Sequence, residues 1–153
     1  MINIKSLVIN LAIPLVVGFS ANLLTRNSME VYSNTNQPSF APPSILFPIV
    51  WTILYILMGI SSYIILQSDS KLKSKAIYIY VSQLIVNFIW PLIFFNARMF
   101  LFAFFWLFLL LILVFYMIIT FKKINKIAAY IQIPYILWLT FALFLNFSVY
   151  LLN

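Results

Sequence analysis

The side chains best suited to recognising a ligand are aromatic and amide residues that recur at helical spacing within apolar stretches. Three such sets occur, with intervals of three or four residues: Trp51 and Tyr55; Asn87, Trp90 and Phe94; and Trp138, Ala142 and Asn146. These intervals place the members of each set on one face of a helix. Two interpretations are open. The sets pack helices against one another, or they line a flat pocket between the second, third and fifth spans, with aromatic faces for stacking and amides for orientation.

Several other kinds of site chemistry are excluded by composition. The chain has no cysteine and no histidine, which excludes disulfides, thiolate or imidazole metal sites and a serine–histidine nucleophile. Glu30 and Asp69 are the only acidic residues, and they fall in different polar segments, so they cannot form an acid–base pair. The two glycines are too few for a phosphate-binding loop. We therefore expect no metal, no required cofactor and no catalytic residue that composition or spacing alone identifies.

The elements that position these residues are predicted to be membrane-spanning helices. Of the 153 residues, 65% are hydrophobic and 7% are charged, a composition too apolar for a domain that folds in water. A helix of about 20 apolar residues crosses a bilayer, and the chain holds five such stretches. The sequence predicts a single all-α integral membrane domain over residues 1–153, a bundle of five transmembrane helices with approximate spans 6–25, 44–66, 76–95, 99–121 and 127–152.

The longest polar segment, residues 26–43, is predicted to be an ordered loop between the first two spans. Its three prolines fix φ and remove backbone donors, so the segment loses little conformational entropy when it settles over a ligand. We expect a semi-rigid lid in which Tyr32 or Phe40 touches the ligand. The alternative is that the prolines only prevent the second span from extending.

The basic residues predict the orientation of the bundle. One set of helix ends carries seven lysines, and the other carries Arg26 and Arg98. By the positive-inside rule, the N-terminus and the lysine-rich loops face the cytoplasm, while the 26–43 loop and the C-terminus face outward. We expect a multi-pass protein of the bacterial cytoplasmic membrane, whose basic residues meet anionic lipid headgroups and no nucleic acid.

Three segments of the chain resemble the TspO/translocator protein family in order and spacing: "QPSFAPPSILFPIVWTILYILMGISSY", "NFIWPLIFFNAR" and "IPYILWLTFALFLN". The resemblance covers nearly the whole chain. It implies five transmembrane helices, frequent homodimers, and the binding of porphyrins such as protoporphyrin in a pocket beneath the first loop. Carried onto this sequence, the implied pocket includes Trp51, Asn87, Trp90, Trp138, Ala142 and Asn146, joined by Tyr32 from the loop.

The resemblance implies a membrane protein that binds tetrapyrroles as a sensor, scavenger or carrier in porphyrin or stress homeostasis. Some bacterial members are reported to degrade porphyrin in light, so an enzyme is one alternative, with Trp51 and Trp138 as its catalytic candidates. A lipid- or sterol-binding scaffold is another. The loop departs from the family at Val31, Phe40 and Leu46, where relatives often carry indoles, and this departure favours binding over photochemistry.

The propionates of a porphyrin would also need partners. Arg26 and Arg98 are the only basic side chains on the expected pocket side, and arginine suits bidentate recognition of a carboxylate. We predict that one of them pairs with a propionate. The alternative is that both extend to the lipid headgroups.

Overall fold

Long helices dominate the computed structural model, which describes residues 2–153 apart from the side chain of Val31. The helices are α1 (Ile4–Thr25), α2 (Met29–Ser33), α3 (Leu46–Leu66), α4 (Lys73–Pro91), α5 (Phe100–Ile124), α6 (Lys126–Tyr130) and α7 (Ile133–Leu152). Five helical stretches are long and apolar enough to cross a membrane: Ile4–Ser28, Leu46–Leu66, Lys73–Asn96, Phe100–Ile124 and Lys126–Leu152. None of the described residues forms a strand. The predicted all-α, five-helix membrane bundle is confirmed, with boundaries close to those expected.

The segment predicted as a loop between the first two spans begins with helical turns. A 3₁₀ turn, Arg26–Ser28, continues α1, and α2 follows it directly. No proline or glycine occurs between Arg26 and Gln37, so nothing in this stretch breaks a helix. The irregular part is confined to residues 34–45, where the three prolines lie.

A proline reshapes the end of the third span. The regular part of α4 ends at Pro91, which lacks the N–H of an ordinary helical residue. The next residues, Leu92–Asn96, form a wider π-helical turn, closed by the Ala97 N–H, which donates to the Leu92 carbonyl at 3.0 Å. Arg98 then adopts a φ of 53° and turns the chain into α5.

A second proline divides the fifth span, which was predicted as one helix over 127–152. Pro134 lies in the first turn of α7 and cannot donate to the Tyr130 carbonyl four residues earlier. The short α6 therefore ends at Tyr130, and a turn at residues 131 and 132 precedes α7.

Close contact between α1 and α3 depends on glycine. A Cβ added at Gly59 would lie 2.7 Å from the carbonyl oxygen of Asn10 and 2.8 Å from the Cα of Leu11, so the α1 backbone rests directly on α3. Near the other end of this contact, a Cβ at Gly18 would overlap the ring of Tyr55. The absence of side chains at these two positions therefore sets the separation of the two helices.

The rest of the bundle is organised around α5, which packs against α4 and α7. The half of the bundle near the lysine-rich ends is filled by large side chains that are completely or almost completely buried, among them Met58, Ile65, Met117, Phe121 and Tyr135. The opposite half holds most of the indoles and a cavity. Seven lysines lie at the filled end and two arginines at the hollow end, and the membrane side that each end faces remains a prediction.

The irregular segment is tied to the end of α7 beside the hollow half of the bundle. The Asn36 N–H donates to Oδ1 of Asn153 at 3.0 Å, and Nδ2 of Asn153 donates to the Asn36 carbonyl at 2.9 Å. These reciprocal bonds hold the segment across the helix ends, as expected of an ordered loop.

Candidate functional site

A cavity of about 730 Å³ lies between α1, α3, α4 and α7, with α2 at its rim. All nine residues predicted to bind a ligand line it: Tyr32, Trp51, Tyr55, Asn87, Trp90, Phe94, Trp138, Ala142 and Asn146. Small-molecule sites have volumes of about 300–1,000 Å³, so the cavity has the size of a ligand pocket. The structure brings the three sequence sets together around one space, and their contact with a ligand stays a prediction.

Stacked aromatic pairs form two walls of the cavity. Trp51 stacks on Tyr55 along α3, with ring centroids 5.6 Å apart and an interplanar angle of 28°. Trp90 stacks on Phe94 at 5.2 Å and 30°. Both pairs are four residues apart in helical segments, so one turn of helix places the second ring beside the first.

Trp138 forms a further part of the wall from α7. Its indole packs edge-on against Phe47, with centroids 5.9 Å apart. The indole N–H is buried and has no hydrogen-bond acceptor within the described part of the chain. The wall therefore contains one donor that no protein group satisfies.

A chain of buried hydrogen bonds supports the inner end of the cavity. The Tyr55 hydroxyl donates to Oδ1 of Asn87 at 2.8 Å, and Nδ2 of Asn87 donates to the Tyr135 hydroxyl at 2.7 Å. The Tyr135 hydroxyl in turn donates to Oε1 of Gln83 at 2.8 Å. One amide thus joins α3, α4 and α7.

A second amide closes the side of the cavity nearer the lid. Nε1 of Trp90 donates to Oδ1 of Asn146 at 3.2 Å, and Nδ2 of Asn146 donates to the Phe100 carbonyl at 2.8 Å. Asn87 and Asn146 are 2% and 1% exposed, so both point into the bundle, as expected of amides inside a membrane span. Both sequence interpretations hold for them, because the same side chains join helices and line the cavity.

Of the segment predicted to act as a lid, residues 26–43, Tyr32 lines the cavity and Phe40 lies outside it. Tyr32 is 7% exposed and packs against Phe47, Phe94 and Phe95, with centroids 6.3, 5.8 and 5.6 Å away. This burial raises the pKa of the Tyr32 phenol. Phe40 is half exposed and contacts Phe141 instead, so of the two expected lid contacts only Tyr32 lines the cavity.

The two arginines predicted to pair with a propionate lie outside the cavity lining, and their pairing with a propionate stays a prediction. Arg26 and Arg98 are exposed, and neither is part of the cavity lining. Arg98 borders a separate void of about 10 Å³. Glu30 lines the main cavity at its rim. From the sequence, Glu30 was considered only as an acid that cannot pair with Asp69 in catalysis.

Other contributors were missed by sequence reasoning. One face of α1 lines the cavity through Leu15, Gly18, Phe19, Ala21, Asn22 and Thr25, but it carries no repeated aromatic or amide signal. Tyr135 and Gln83 support the floor without having been singled out, although Gln83 lies one helical turn before Asn87 and so shares its face. Within residues 2–153, no group of three or more potential metal ligands occurs.

Comparison with known proteins agrees with this architecture. The TspO/MBR family profile matches residues 10–152. The tryptophan-rich protein TspO of Archaeoglobus fulgidus is 34% identical over 99% of both chains. Protein CrtK of Rhodobacter capsulatus is 35% identical over 80% of this chain and 78% of its own, and the translocator protein of Sus scrofa is 31% identical over 90% and 84%. With five membrane-length helices and a family match across nearly its whole length, this multi-pass integral membrane protein belongs to the TspO/MBR family.

Proposed function

We propose that this protein binds a flat tetrapyrrole of the protoporphyrin type within its bundle and acts as a sensor, scavenger or carrier in porphyrin or stress homeostasis. The observation that carries the proposal is the 730 Å³ cavity walled by stacked indole and phenyl rings. Planar aromatic ligands gain offset-stacking and edge contacts from such walls in addition to apolar burial. The ligand class itself comes from the family resemblance.

The polar groups of the site are arranged to orient a ligand more than to react with it. The side-chain amides of Asn87 and Asn146 line the cavity. Hydrogen bonds to the Tyr135 hydroxyl and to the Phe100 carbonyl fix the orientation of these amides. The ring of Tyr32 covers one end of the cavity. Binding therefore rests on shape and stacking, and we propose that the tetrapyrrole is a ligand that the protein does not need for its own folding.

The test is tryptophan-fluorescence quenching by protoporphyrin, titrated in the dark against the protein in nanodiscs. We expect saturable quenching and an affinity about three- to tenfold lower for Trp138→Phe, which loses an indole wall contact. Trp106→Phe is the matched control, because it also removes one indole, but this one bonds to the Val86 carbonyl outside the cavity. Linear quenching in all three proteins would mean that porphyrin only dissolves in the lipid, and the lipid- or sterol-binding scaffold would then be the better proposal.

A second candidate function is light- and oxygen-dependent breakdown of the porphyrin. It is favoured by the presence of three indoles, Trp51, Trp90 and Trp138, in the lining of one cavity, since an indole beside the macrocycle is an oxidisable group. Illumination of the saturated complex in air should then bleach the Soret band, and Trp51→Phe or Trp138→Phe should stop the bleaching. Bleaching at the rate of free porphyrin in empty nanodiscs would leave binding as the function.

A further inference from the structure

We infer that the cavity discriminates among its ligands by charge, and that Glu30 is the residue that sets this preference. The site would favour flat ligands with an uncharged or cationic edge over those with ionised carboxylates. This inference rests on the proposed function, because it describes which members of the ligand class bind best.

The distribution of charge around the cavity is one-sided. Among the described residues that line it, Glu30 is the one with a formal charge. Arg26 and Arg98, the two cations at this end of the bundle, lie outside the lining. A ligand carboxylate at the rim would thus meet a like charge, with no cation in the cavity wall to offset it.

The position of Glu30 allows its charge to act on the edge of a ligand. It lies in α2, two residues before Tyr32, and Tyr32 is buried against the aromatic wall. The side chain of Glu30 is itself exposed while it borders the cavity. Beyond the rim the lining is mostly aliphatic, aromatic and amide, and Coulomb interactions are less screened beside such a surface than in bulk water.

This arrangement opposes the pairing of a propionate with Arg26 or Arg98 that the sequence predicted. Arg26 and Arg98 lie outside the cavity lining, so a propionate would have to extend beyond the lining to reach either arginine. For a dicarboxylate the repulsion adds to the cost of removing carboxylates from water. The methyl esters of the same carboxylates avoid both costs.

The experiment compares protoporphyrin, whose two carboxylates are ionised at neutral pH, with its dimethyl ester. Each is titrated in phosphatidylcholine nanodiscs against wild type, Glu30→Gln and Asp69→Asn. Asp69 is the matched control, because it is the only other acid, is also exposed, and lies in the turn after α3 at the opposite end of the bundle. Comparing variants for one ligand at a time cancels the different partitioning of the two porphyrins into lipid.

We expect Glu30→Gln to tighten protoporphyrin binding about two- to fivefold, the range for one exposed charge pair, and to change the ester's affinity by less than about twofold. Asp69→Asn should leave both affinities unchanged. Salt at about 0.5 M should reduce the gain in protoporphyrin affinity caused by Glu30→Gln, because it screens exposed charges. Equal changes for both porphyrins, no change for either, or the same tightening in Asp69→Asn would overturn the inference while leaving the proposed function intact. Failure of wild type to bind either porphyrin saturably would instead overturn the proposed function, and the inference with it.

Discussion

Ala142→Trp should abolish saturable porphyrin binding, lowering the affinity at least about 100-fold. Ala142 lines the cavity from α7 and is 7% exposed. An indole at this position fills space that a ligand would otherwise occupy, between Trp138 one turn before it and Asn146 one turn after it. Because a planar macrocycle cannot bend around a new ring, the loss of affinity should be far larger than the loss caused by Trp138→Phe. The measurement is a titration followed by the Soret band of the porphyrin, which does not depend on the number of tryptophans.

The matched control for this variant is Leu137→Trp. Leu137 lies on the same helix and is 64% exposed, so the same indole is added on a side that faces away from the cavity. This variant should keep the wild-type affinity and the wild-type thermal stability. If Ala142→Trp stays folded and still binds porphyrin as wild type does, the ligand occupies another surface and the cavity is not the binding site.

Much of the fold could be predicted because a bilayer restricts what the chain can do. Each span must satisfy its backbone internally, and apolar stretches of about 20 residues have the length of a spanning helix rather than a barrel strand. Helices were therefore expected, and their ends lie close to the predicted positions. The finer features depended on single residues whose effect is local. A π-helical turn at Leu92–Asn96 follows Pro91, and Pro134 lies just after the break between α6 and α7. The hydropathy of those stretches gives no sign of either break.

The candidate site was predictable where helical periodicity groups side chains and unpredictable where distant segments meet. Trp51 and Tyr55 were placed on one face because they are separated by one turn, and the structure stacks them. The bonds from Asn87 reach Tyr55 and Tyr135, which are 32 and 48 residues away in sequence. Their alignment depends on the relative register of three helices, which periodicity within one helix cannot supply. The α1 face was missed for the related reason that it contributes mainly small and aliphatic residues.

The charged residues show a further limit of sequence reasoning. Arg26, like Arg98, is a candidate partner of a propionate because it is basic and on the expected side of the membrane. Glu30, four residues later, was considered only as a poor catalytic acid. Which of the two borders the cavity is decided by how the 3₁₀ turn and α2 continue from α1, and this stretch was predicted to be irregular. Because the chain continues as helix from α1 into α2, the charged side chain in the cavity lining is the acidic Glu30 and not the basic Arg26.

Asn87→Leu should lower the free energy of unfolding by about 1–3 kcal/mol. The substitution keeps the approximate shape of the side chain but removes the acceptor of the Tyr55 hydroxyl and a donor to the Tyr135 hydroxyl. Tyr135 keeps its bond to Gln83, so Tyr55 is left with the buried, unsatisfied donor. For a chain of this size, a loss in that range should lower the apparent Tm in detergent by about 2–12 °C. Tyr63→Phe, which removes a hydroxyl that accepts a bond from the Asn3 N–H at the exposed end of the bundle, should change Tm much less.

A double-mutant cycle separates the hydrogen bond from the packing of the same side chains. In the wild-type background, Tyr55→Phe should lower stability by about 1 kcal/mol, because it removes the donor to Asn87. In the Asn87→Leu background the same change should cost almost nothing or restore stability, because it removes a hydroxyl that has already lost its acceptor. Equal costs in both backgrounds would show that the bond between Tyr55 and Asn87 contributes nothing to stability. Since Tyr55 and Asn87 both line the cavity, coupling between them would mean that the bond joining α3 to α4 also fixes the wall against which a ligand stacks.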